Sequence, residues 1–412
     1  MNSLRTLAIY SVASLATIAT AQNYYIPINL FPYANDRLQS RDVFFPEGNE
    51  VLGGVPFAIE PGVNNVWWAA NAPGNNPKVL TVPANVEGVT EVHTLINTAW
   101  GVANAPSRLK IEFLGAGNVT LHSVELIGNV DIRDWNNFNF TNNINNTTTT
   151  QVWSGNNHRI DKQRFVMPQA VTGSDLRAIR IVDTGDTNVQ RAYVQGITLV
   201  IDQPQARTWG PSLGGNCNAY NAYQTPDGTG WQNAANNAAA LGGHLATISS
   251  AAENAFAYSL VGGNAAFWYT NQAGDGMGPW IGGRQAPSSN EPASGWNWVT
   301  GEDFYGFTNW AFGEPNNVNG GIEDRIHLFG SQLPRAGTWN DYPGAFNVRG
   351  YIVEFPFCAA DYNADGGVDG TDVQVFFNDW SDSAGCSDVN SDGGIDGSDV
   401  QAFFDVWSRG GC

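Results

Sequence analysis

The end of the chain repeats itself with a period of 27 residues, and this repeat constrains the fold more than any other feature. Each copy is a twelve-residue loop with oxygen-bearing side chains at positions 1, 3, 5, 9 and 12, glycine at position 6 and an aliphatic residue at position 8. Hard oxygen donors without sulfur or imidazole indicate a calcium-binding loop. The residues expected at the two ions are Asp361, Asn363, Asp365, Gly367, Asp369 and Asp372 in the first copy, and Asp388, Asn390, Asp392, Gly394, Asp396 and Asp399 in the second.

A short amphipathic helix is predicted after each loop, because both copies continue with the pattern Val-x-x-Phe-Phe-x-x-Trp. Eleven aspartates and one arginine lie from residue 358 onward, so this segment carries ten of the 19 net negative charges. We therefore expect calcium binding to drive its folding. Aspartate at position 12, where sensor proteins have glutamate, shortens the reach of that ligand.

Two EF-hand-like loops, each followed by one helix and lacking a leading helix, resemble a dockerin. The resemblance covers residues 358–412 and implies a small α-helical module that docks to a cohesin partner, with Thr371 and Ser398 at positions similar to the recognition residues. Cys358, Cys386 and Cys412 frame the repeats and do not belong to the usual dockerin pattern. Attachment to another cell-surface protein, or a sorting role, therefore remains an alternative for the tail.

The charge and composition of the chain exclude some classes of partner. The 412 residues carry a net charge of −19, which disfavours nucleic acids and anionic membranes and favours cations. With 47 glycines and 15 tryptophans, the composition is typical of a loop-rich, largely β protein. The length predicts a multidomain protein of two or three domains.

The first 21 residues are interpreted as a signal peptide. Arg5 precedes an apolar run from Leu7 to Ile18, and an Ala-x-Ala cleavage site ends at Ala21. We therefore expect a secreted or cell-surface protein with no membrane span in the mature chain. Export favours oxidised cysteines, and four cysteines allow three pairings between which the sequence does not decide: Cys217, Cys358, Cys386 and Cys412.

Residues 23–205 have the pattern of an antiparallel β-sandwich. Leu109, Ile111 and Phe113 alternate with polar residues, which predicts a strand with one buried face. Further short strands are predicted at residues 119–121, 178–181 and 194–201, and the Asn/Thr tract 136–150 is predicted to be a surface loop.

Three phrases of this region, at residues 52–57, 94–100 and 161–164, resemble galactose-binding-like jelly-roll modules. The resemblance implies a jelly-roll sandwich and, weakly, glycan binding. Large aromatic residues are mostly buried, so Trp67, Trp68 and Trp100 are interpreted as packing residues.

Residues 210–357 change to an α+β pattern. An alanine-rich helix is predicted from Trp231 to Leu241, ended by glycine, and a capping box formed by Ser250 and Glu253 opens a second helix to about Leu260. Short strands are predicted at residues 280–283, 296–298 and 350–355.

The motifs of this region resemble the C-type lectin-like domain and occur in that family's order. They are Leu-Gly-Gly-His-Leu-Ala-Thr-Ile (241–248), Glu-Asn (253–254), Trp-Ile-Gly-Gly (280–283), Trp-Val-Thr-Gly (298–301), Asn-Trp (309–310), Glu-Pro-Asn (314–316) and Trp-Asn-Asp (339–341). The family's two disulfides are missing, because Ala238, Val353 and Arg325 stand near the cysteine positions. Cysteine-poor versions of the fold occur in exported bacterial proteins, and apolar packing is expected to replace the bridges.

The same resemblance implies a site in which a protein-bound Ca²⁺ holds a sugar. Its ligands would be Glu314, Asn316, Glu323, Asn340 and Asp341, with a cis bond before Pro315 that turns Glu314 and Asn316 to the same side. In the family, Glu-Pro-Asn implies mannose-type sugars, whose adjacent equatorial hydroxyls meet one carboxylate acceptor and one amide donor.

These observations favour an exported, non-catalytic, calcium-dependent carbohydrate-binding protein that recognises a glycan or polysaccharide and is tethered by its dockerin-like tail. One alternative is a polysaccharide-degrading enzyme, or a subunit of an enzyme complex, with its active site in residues 23–205. Its carboxylate candidates are Glu125, Asp131, Asp134 and Asp161. A second alternative is a structural or adhesion protein in which calcium only braces loops.

Overall fold

The computed structural model describes residues 23–104, 108–185, 189–286, 291–318, 320–330, 335–383 and 386–411. These residues form a mostly β structure with largely separate hydrophobic cores in an N-terminal region (23–205), a middle region (206–357) and a C-terminal region (358–411). Across the part of the chain that the structure describes, none of the helices has the length and apolar composition needed to cross a membrane. The predicted signal peptide lies outside the described residues.

The N-terminal region contains, among its described residues, two larger antiparallel sheets, a two-stranded antiparallel sheet of β2 (Gly48–Leu52) and β3 (Val55–Ile59), and one short α-helix. Its strands are β1 Asn23–Ile28, β2 Gly48–Leu52, β3 Val55–Ile59, β4 Trp67–Trp68, β5 Lys78–Glu87, β6 Glu91–Ala99, β7 Leu109–Leu114, β8 Thr120–Glu125, β9 Thr149–Gly155, β10 His158–Val166, β11 Asp175–Asp183 and β12 Arg191–Asp202, with α1 at Gln169–Thr172. The larger sheet has the order β1-β12-β6-β10-β9, with β4 added beside β12, and the smaller sheet has the order β5-β11-β7-β8.

The main core of this region lies between the two sheets. Leu109, Ile111 and Phe113 are completely buried there, which confirms the strand predicted from their alternation. Trp67 is also buried in this core, as predicted. Trp68 and Trp100 are half-buried at the other face of the larger sheet. Trp68 packs there against a second buried cluster, as predicted, and Trp100 stacks on Trp68.

The middle region is built around one sheet with two helices beside it. Its strands are β13 Arg207–Thr208, β14 Ala219–Thr229, β15 His244–Leu245, β16 Tyr269–Thr270, β17 Gly276–Gln285, β18 Trp296–Trp298, β19 Glu323–Phe329, β20 Trp339–Pro343 and β21 Val348–Phe355, and its helices are α2 Trp231–Ala240 and α3 Ala251–Ser259. The sheet order is β13-β14-β21-β17-β19-β20. Pairing of β14 with β21 brings the two ends of the region together.

Only half of the predicted capping box at the start of α3 is present. The Ser250 side chain accepts a hydrogen bond from the Glu253 backbone N–H, which satisfies one free donor of the first turn. The Glu253 carboxylate instead accepts from the backbone N–H of Ser249 at 2.6 Å and from the Tyr220 hydroxyl at 2.5 Å. Glu253 is buried, so a buried tyrosine competes for the carboxylate that would otherwise cap the helix.

Side-chain packing occupies the positions at which C-type lectin-like domains have their two disulfides. Ala238 and Val353 are both fully buried in one cluster with Trp231. The third cysteine position holds Arg325, whose guanidinium lies 4.7 Å from the centre of the Trp231 ring. A cation over an indole face is favourable by about 0.5–1 kcal/mol at exposed sites, so this contact replaces part of the lost cross-link.

The N-terminal and middle regions are in direct contact. The Gln224 side chain donates to the Tyr25 carbonyl oxygen at 2.9 Å and accepts from the Tyr25 backbone N–H at 2.7 Å. The ring of Tyr24 meets Phe267 edge to face at 6.0 Å. Strand β1 therefore joins the N-terminal sheet to the core of the middle region.

The C-terminal region consists of two similar halves that pack against each other. Its helices are α4 Gly370–Ser381 and α5 Gly397–Trp407, and Phe376 and Phe403 stack between them with ring centroids 4.1 Å apart. The indole N–H of Trp380 donates to the Asp396 carbonyl oxygen of the other half at 2.8 Å, and that of Trp407 donates to the Asp369 carbonyl oxygen at 3.2 Å. The last turn of each helix therefore contacts the twelve-residue loop of the other half.

A disulfide between Cys217 and Cys386 joins the C-terminal region to the middle region. Cys358 is also disulfide-bonded. The Phe357 backbone N–H donates to the Asn218 side chain at 2.9 Å beside the same junction. The tail is therefore fixed to the middle region through two separate points of the chain.

We predict that the double variant Cys217→Ser/Cys386→Ser weakens the C-terminal region selectively. The bond spans 169 residues of sequence, and closing so long a loop restricts the unfolded chain by about 3–5 kcal/mol. In calorimetry, the transition assigned to the tail should fall by more than that of the middle region. An equal fall of both transitions would contradict this assignment.

Candidate functional site

The predicted calcium-site residues come from one loop and two paired strands. Glu314 and Asn316 lie on the loop between β18 and β19, and the bond between Glu314 and Pro315 is cis. Glu323 begins β19, while Asn340 and Asp341 lie on β20. The part of this loop just before Glu314 is attached to β20, because the Ala311 backbone N–H donates to the Trp339 carbonyl oxygen at 2.9 Å.

Four of the five predicted residues line a single cavity of about 400 Å³: Glu314, Asn316, Glu323 and Asn340. The fifth, Asp341, is fully buried beside it. The Asp341 carboxylate accepts hydrogen bonds from the backbone N–H groups of Asn316 at 3.0 Å and Asn317 at 2.8 Å. Asp341 thus holds the loop that carries Glu314 and Asn316 in place.

Glu314 is the carboxylate with the least satisfied environment in this cavity. Its Oε1 lies 3.5 Å from Arg335 Nη1, whereas its Oε2 is buried without a hydrogen-bond partner. Burial, and next the negative charge of Asp341, raise the pKa of Glu314 to about 7, while Arg335 opposes the rise and Glu323 adds to it. Burial also raises the pKa of Asp341, against the effect of the Asn317 and Asn316 N–H groups.

A buried histidine orients the amide of Asn340. Burial lowers the pKa of His327 to about 4, so its ring is neutral at neutral pH. Its Nδ1 lies 2.7 Å from the Leu328 carbonyl oxygen and its Nε2 lies 3.1 Å from Asn340 Nδ2. Nδ1–H therefore donates to the carbonyl, Nε2 accepts from the amide, and the Asn340 carbonyl oxygen remains available as a ligand.

Sequence reasoning missed three residues around this cavity: Asp275, His327 and Arg335. The Arg335 guanidinium lies over the Phe329 ring at 4.8 Å and within 3.9 Å of Asp275, so it supplies positive charge beside the carboxylates. His327 stands opposite Asn340 in the pairing of β19 with β20. Only knowledge of that register would have identified His327 from the sequence.

The donors of the cavity fit a hard cation. The five predicted residues offer only oxygen atoms as metal ligands: carboxylates from Glu314, Glu323 and Asp341, and amide carbonyls from Asn316 and Asn340. One of these oxygens, Glu314 Oε2, is buried and has no hydrogen-bond partner. Within the described ranges, no three His, Cys, Asp or Glu side chains form a ready-made metal cluster. The side chains would therefore have to move closer together around an ion.

The two loops of the C-terminal region have nearly identical internal hydrogen bonds. The position-1 carboxylates of Asp361 and Asp388 each accept from two backbone N–H groups of their own loop, at 3.0–3.1 Å. The position-12 carboxylates of Asp372 and Asp399 each accept from the N–H groups of positions 3 and 9, at 2.8–3.2 Å. Position 6 is glycine with φ near +88° in both loops, a backbone conformation that side chains disfavour.

Six of the remaining predicted loop residues are exposed and two are partly buried: Asp365, Asp369, Asn390, Asp392, Gly394 and Asp396 are exposed, and Asn363 and Gly367 are partly buried. Asp369 and Asp396 cap helices α4 and α5 by accepting from the N–H groups two residues later. Hydrogen bonding to the Thr371 backbone lowers the pKa of Asp369, and the Ser398 backbone does the same for Asp396. Thr371 and Ser398 are exposed and equivalent in the two halves.

The carboxylate candidates for hydrolysis are mostly engaged in structural contacts. Asp161 is completely buried and pairs with Arg133 at 2.7 Å. The Asp134 carboxylate accepts from the backbone N–H groups of Gly101 and Thr141. Asp131 accepts from the Ile127 N–H and from Asn145, while Glu125 is an exposed residue at the end of β8. No pair of free facing carboxylates is found among these four residues.

No family model matches this chain. A perlucin-like protein of Mytilus galloprovincialis is 30% identical over 130 residues, which cover 32% of this chain and 72% of the relative.

Similar solved structures cover about a third of the chain at low identity. They include the cow C-type carbohydrate-recognition domain of CD23, crystallised in the presence of a GlcNAc2Man3 oligosaccharide (23% identity, 33% of this chain and 86% of that chain, TM-score 0.25). The carbohydrate-recognition domain of the mouse scavenger receptor C-type lectin matches at 24% identity over 33% and 88% of the two chains, with TM-score 0.25. A calcium-independent type II antifreeze protein matches at 22% identity over 33% and 85%, with TM-score 0.24.

Proposed function

This chain belongs to the C-type lectin-like family, and from that membership we propose that its middle region binds a mannose-type carbohydrate through a calcium ion held at the cavity of Glu314, Asn316, Glu323 and Asn340. The observation that carries the proposal is the unpaired, buried Oε2 of Glu314 in a cavity lined by oxygen donors. Leaving a buried carboxyl oxygen without a partner costs about 1–3 kcal/mol. A cation at this position would remove that cost.

The proposed division of roles follows from the chemistry of the side chains. Calcium, when bound, would offer open coordination positions to two adjacent sugar hydroxyls. Glu314 and Glu323 supply negative charge and accept hydrogen bonds from hydroxyl groups, whereas the amides of Asn316 and Asn340 donate hydrogen bonds to them. Asp341 keeps the loop in place through the Asn316 and Asn317 N–H groups.

Arg335 takes a different role in this scheme. Its guanidinium lies 3.5 Å from Glu314 Oε1, so it partly neutralises the carboxylates before a cation arrives. Its contacts with Asp275 and the Phe329 ring would keep it at the edge of the cavity after it leaves Glu314. We expect calcium to displace Arg335 from Glu314, since two positive charges would otherwise share one carboxylate.

We predict that His327→Phe lowers the calcium affinity of this site. Without the imidazole acceptor, the Asn340 amide loses the partner that orients it, and losing such a supporting contact costs about 10–100-fold in metal affinity. Calcium titration by calorimetry measures the effect. His244→Phe is the matched control, because His244 Nδ1 also lies near the carbonyl of the next residue but is remote from Asn340 in the strand pairing. Equal affinities for both variants would contradict the positioning role.

The C-terminal region is proposed to tether the protein through its two calcium loops. Its exposed Thr371 and Ser398 occupy equivalent places on the two halves, which supports a dockerin-type face for a cohesin-like or cell-surface partner. Through the disulfide to Cys217, such a partner would also hold the middle region in place. Export of the chain is part of the same proposal, since this disulfide requires an oxidising compartment.

A structural role for the calcium is the second candidate function. It is favoured by Asp341, whose carboxylate is turned to the loop backbone rather than to the cavity. In that case the protein would bind calcium at the Glu314 cavity but no sugar. Calorimetric titration of the calcium-loaded chain with methyl α-mannoside separates the two candidates, because only the first gives a binding isotherm.

A further inference from the structure

The first calcium loop of the tail lies at the junction between the C-terminal and middle regions, and the second loop does not. A cavity of about 600 Å³ at this junction is lined by Asp361 and Asp365 of the first loop and by Cys217 and Phe355 of the middle region, among others. A second cavity, of about 350 Å³, is also lined by residues of the first loop. Among the described residues, none of the second loop (388–399) lines either cavity.

One side chain of the first loop connects its ion-binding positions to the junction. Tyr362 is buried and stands between Asp361 and Asn363, two of the residues expected at the ion. Its hydroxyl accepts a hydrogen bond from the Cys386 backbone N–H at 3.1 Å and donates one to Asp379 at 3.0 Å. Cys386 carries the disulfide that joins the tail to the middle region. Tyr362 therefore holds the tail side of that attachment.

The ring of Tyr362 makes a second connection to the middle region. It meets Phe357, the last residue of the middle region, edge to face with ring centroids 6.0 Å apart. It also meets Phe376 of α4 at 5.5 Å and Phe403 of α5 at 6.3 Å. Because closely packed groups transmit displacements, a shift of Tyr362 would disturb the tail core and the junction together.

The second loop has no counterpart of this side chain. Its position 2 is Val389, an aliphatic residue whose side chain has no hydrogen-bond donor or acceptor. The ion-binding positions and the internal hydrogen bonds of the two loops are otherwise nearly identical. The repeat therefore supplies two copies of one calcium loop that differ in their attachment to the middle region.

We propose that calcium binding at the first loop, and not at the second, determines how firmly the tail is fixed to the middle region. This inference rests on the proposed binding of calcium by both loops. When Asp361 and Asn363 share one ion, the backbone of Tyr362 between them is fixed. The hydroxyl and the ring of Tyr362 then hold Cys386 and Phe357 in place.

A coupling of this kind is reciprocal. If calcium at the first loop stabilises the junction, an intact junction must raise the calcium affinity of the first loop by the same factor. Couplings between two sites typically change affinity about 5–150-fold, so we expect about fivefold or more here. The calcium affinity of the second loop should not depend on the junction.

The test is calcium titration by calorimetry in two backgrounds of the full chain, each with one loop disabled. Asp388→Asn leaves the first loop active and Asp361→Asn leaves the second, because each removes a position-1 carboxylate. Tyr362→Phe keeps the ring and removes only the hydroxyl. It should lower the affinity by about fivefold or more with the first loop active, and by less than about twofold with the second. The Glu314 site is present in all four proteins, so its contribution cancels.

Tyr305→Phe in the same two backgrounds is the matched control. The Tyr305 hydroxyl also accepts from a backbone N–H, that of Trp296 at 3.2 Å, but Tyr305 lines neither junction cavity. Both calcium affinities should stay unchanged in this control. Cys217→Ser/Cys386→Ser weakens the junction without changing Tyr362 and should act on the first loop in the same way. Thermal melts verify that each variant is folded.

Equal losses of affinity in the two backgrounds, or no loss in either, would overturn this inference alone. Failure of the proposed calcium loops gives a different result. In that case Asp361→Asn and Asp388→Asn would each bind as many ions as the wild type does, because neither loop had contributed a site. That result would overturn both the tether proposal and the inference built on it.

Discussion

Reversing the donor and the acceptor at the middle-region site, by Glu314→Gln together with Asn316→Asp, is expected to abolish calcium-dependent binding of mannose-type sugars. One charge-assisted contact of about 1.5–3 kcal/mol (Glu314) and one neutral contact of about 0.5–1.5 kcal/mol (Asn316) are lost, so affinity should fall by about 30-fold or more. The exchange keeps the net charge, which separates the effect from a general change in the field around the cavity. In the family, the reversed order implies galactose, so a gain of galactose binding is also expected.

The measurement for this variant is titration of the calcium-loaded protein with methyl α-mannoside and methyl β-galactoside. Glu302→Gln together with Asn297→Asp is the matched control, because both residues are exposed in the same region and lie outside the cavity. The control pair should bind as the wild type does. Unchanged mannoside affinity in the Glu314/Asn316 variant would contradict the proposed sugar contacts.

Removal of calcium is expected to destabilise the C-terminal region strongly while the stability of the middle region changes little. Each site contributes about 2.7 kcal/mol when calcium is at 100 times its dissociation constant. For a domain this small, about 4–8 °C of melting temperature corresponds to each kcal/mol, so EGTA should lower the tail transition by more than about 10 °C. Trp380 and Trp407 lie at the ends of α4 and α5, and their fluorescence should report the change.

Substitution of the position-1 ligands, Asp361→Asn together with Asp388→Asn, should reproduce the effect of EGTA on this transition. Asp382→Asn together with Asp405→Asn is the control, since it makes the same change of charge at two exposed positions outside the loops, one just after α4 and one on α5. A calcium effect that is equally large in the control and in the ligand variant would mean general charge screening rather than site binding.

The sequence predicted elements best where local pattern and local chemistry agree. The alternation of Leu109, Ile111 and Phe113 produced the buried strand that was expected, and Ser250 caps α3 as expected. The order of motifs predicted the C-type lectin-like domain, and the perlucin-like relative confirms the family. These features depend on residues a few positions apart, which a sequence displays directly.

What the sequence could not predict depends on contacts between distant segments. The Glu253 carboxylate accepts a hydrogen bond from Tyr220 instead of capping its own helix. His327 contacts Asn340 only because the register of β19 and β20 places the two residues opposite each other. The pairing of Cys217 with Cys386 joins segments 169 residues apart. Trp68 and Trp100 stay half-buried because the larger sheet has a second, partly open face.

The candidate site shows the same division between local and distant information. The sequence supplied its oxygen donors, and the structure places four of them around one cavity. The inward turn of Asp341 toward the Asn316 and Asn317 N–H groups, and the position of Arg335 beside Glu314, depend on the closed shape of the loop.

The most direct test of the central claim is a crystal structure of the full chain with calcium and methyl α-mannoside, in which anomalous scattering locates the ions. We expect an ion bound by Glu314, Asn316, Glu323 and Asn340, with two sugar hydroxyls completing its coordination and Arg335 moved away from Glu314. Ions in the two tail loops would show that the crystal is loaded with calcium. Loaded tail loops without an ion at Glu314, or a sugar bound there without contact to an ion, would contradict the account.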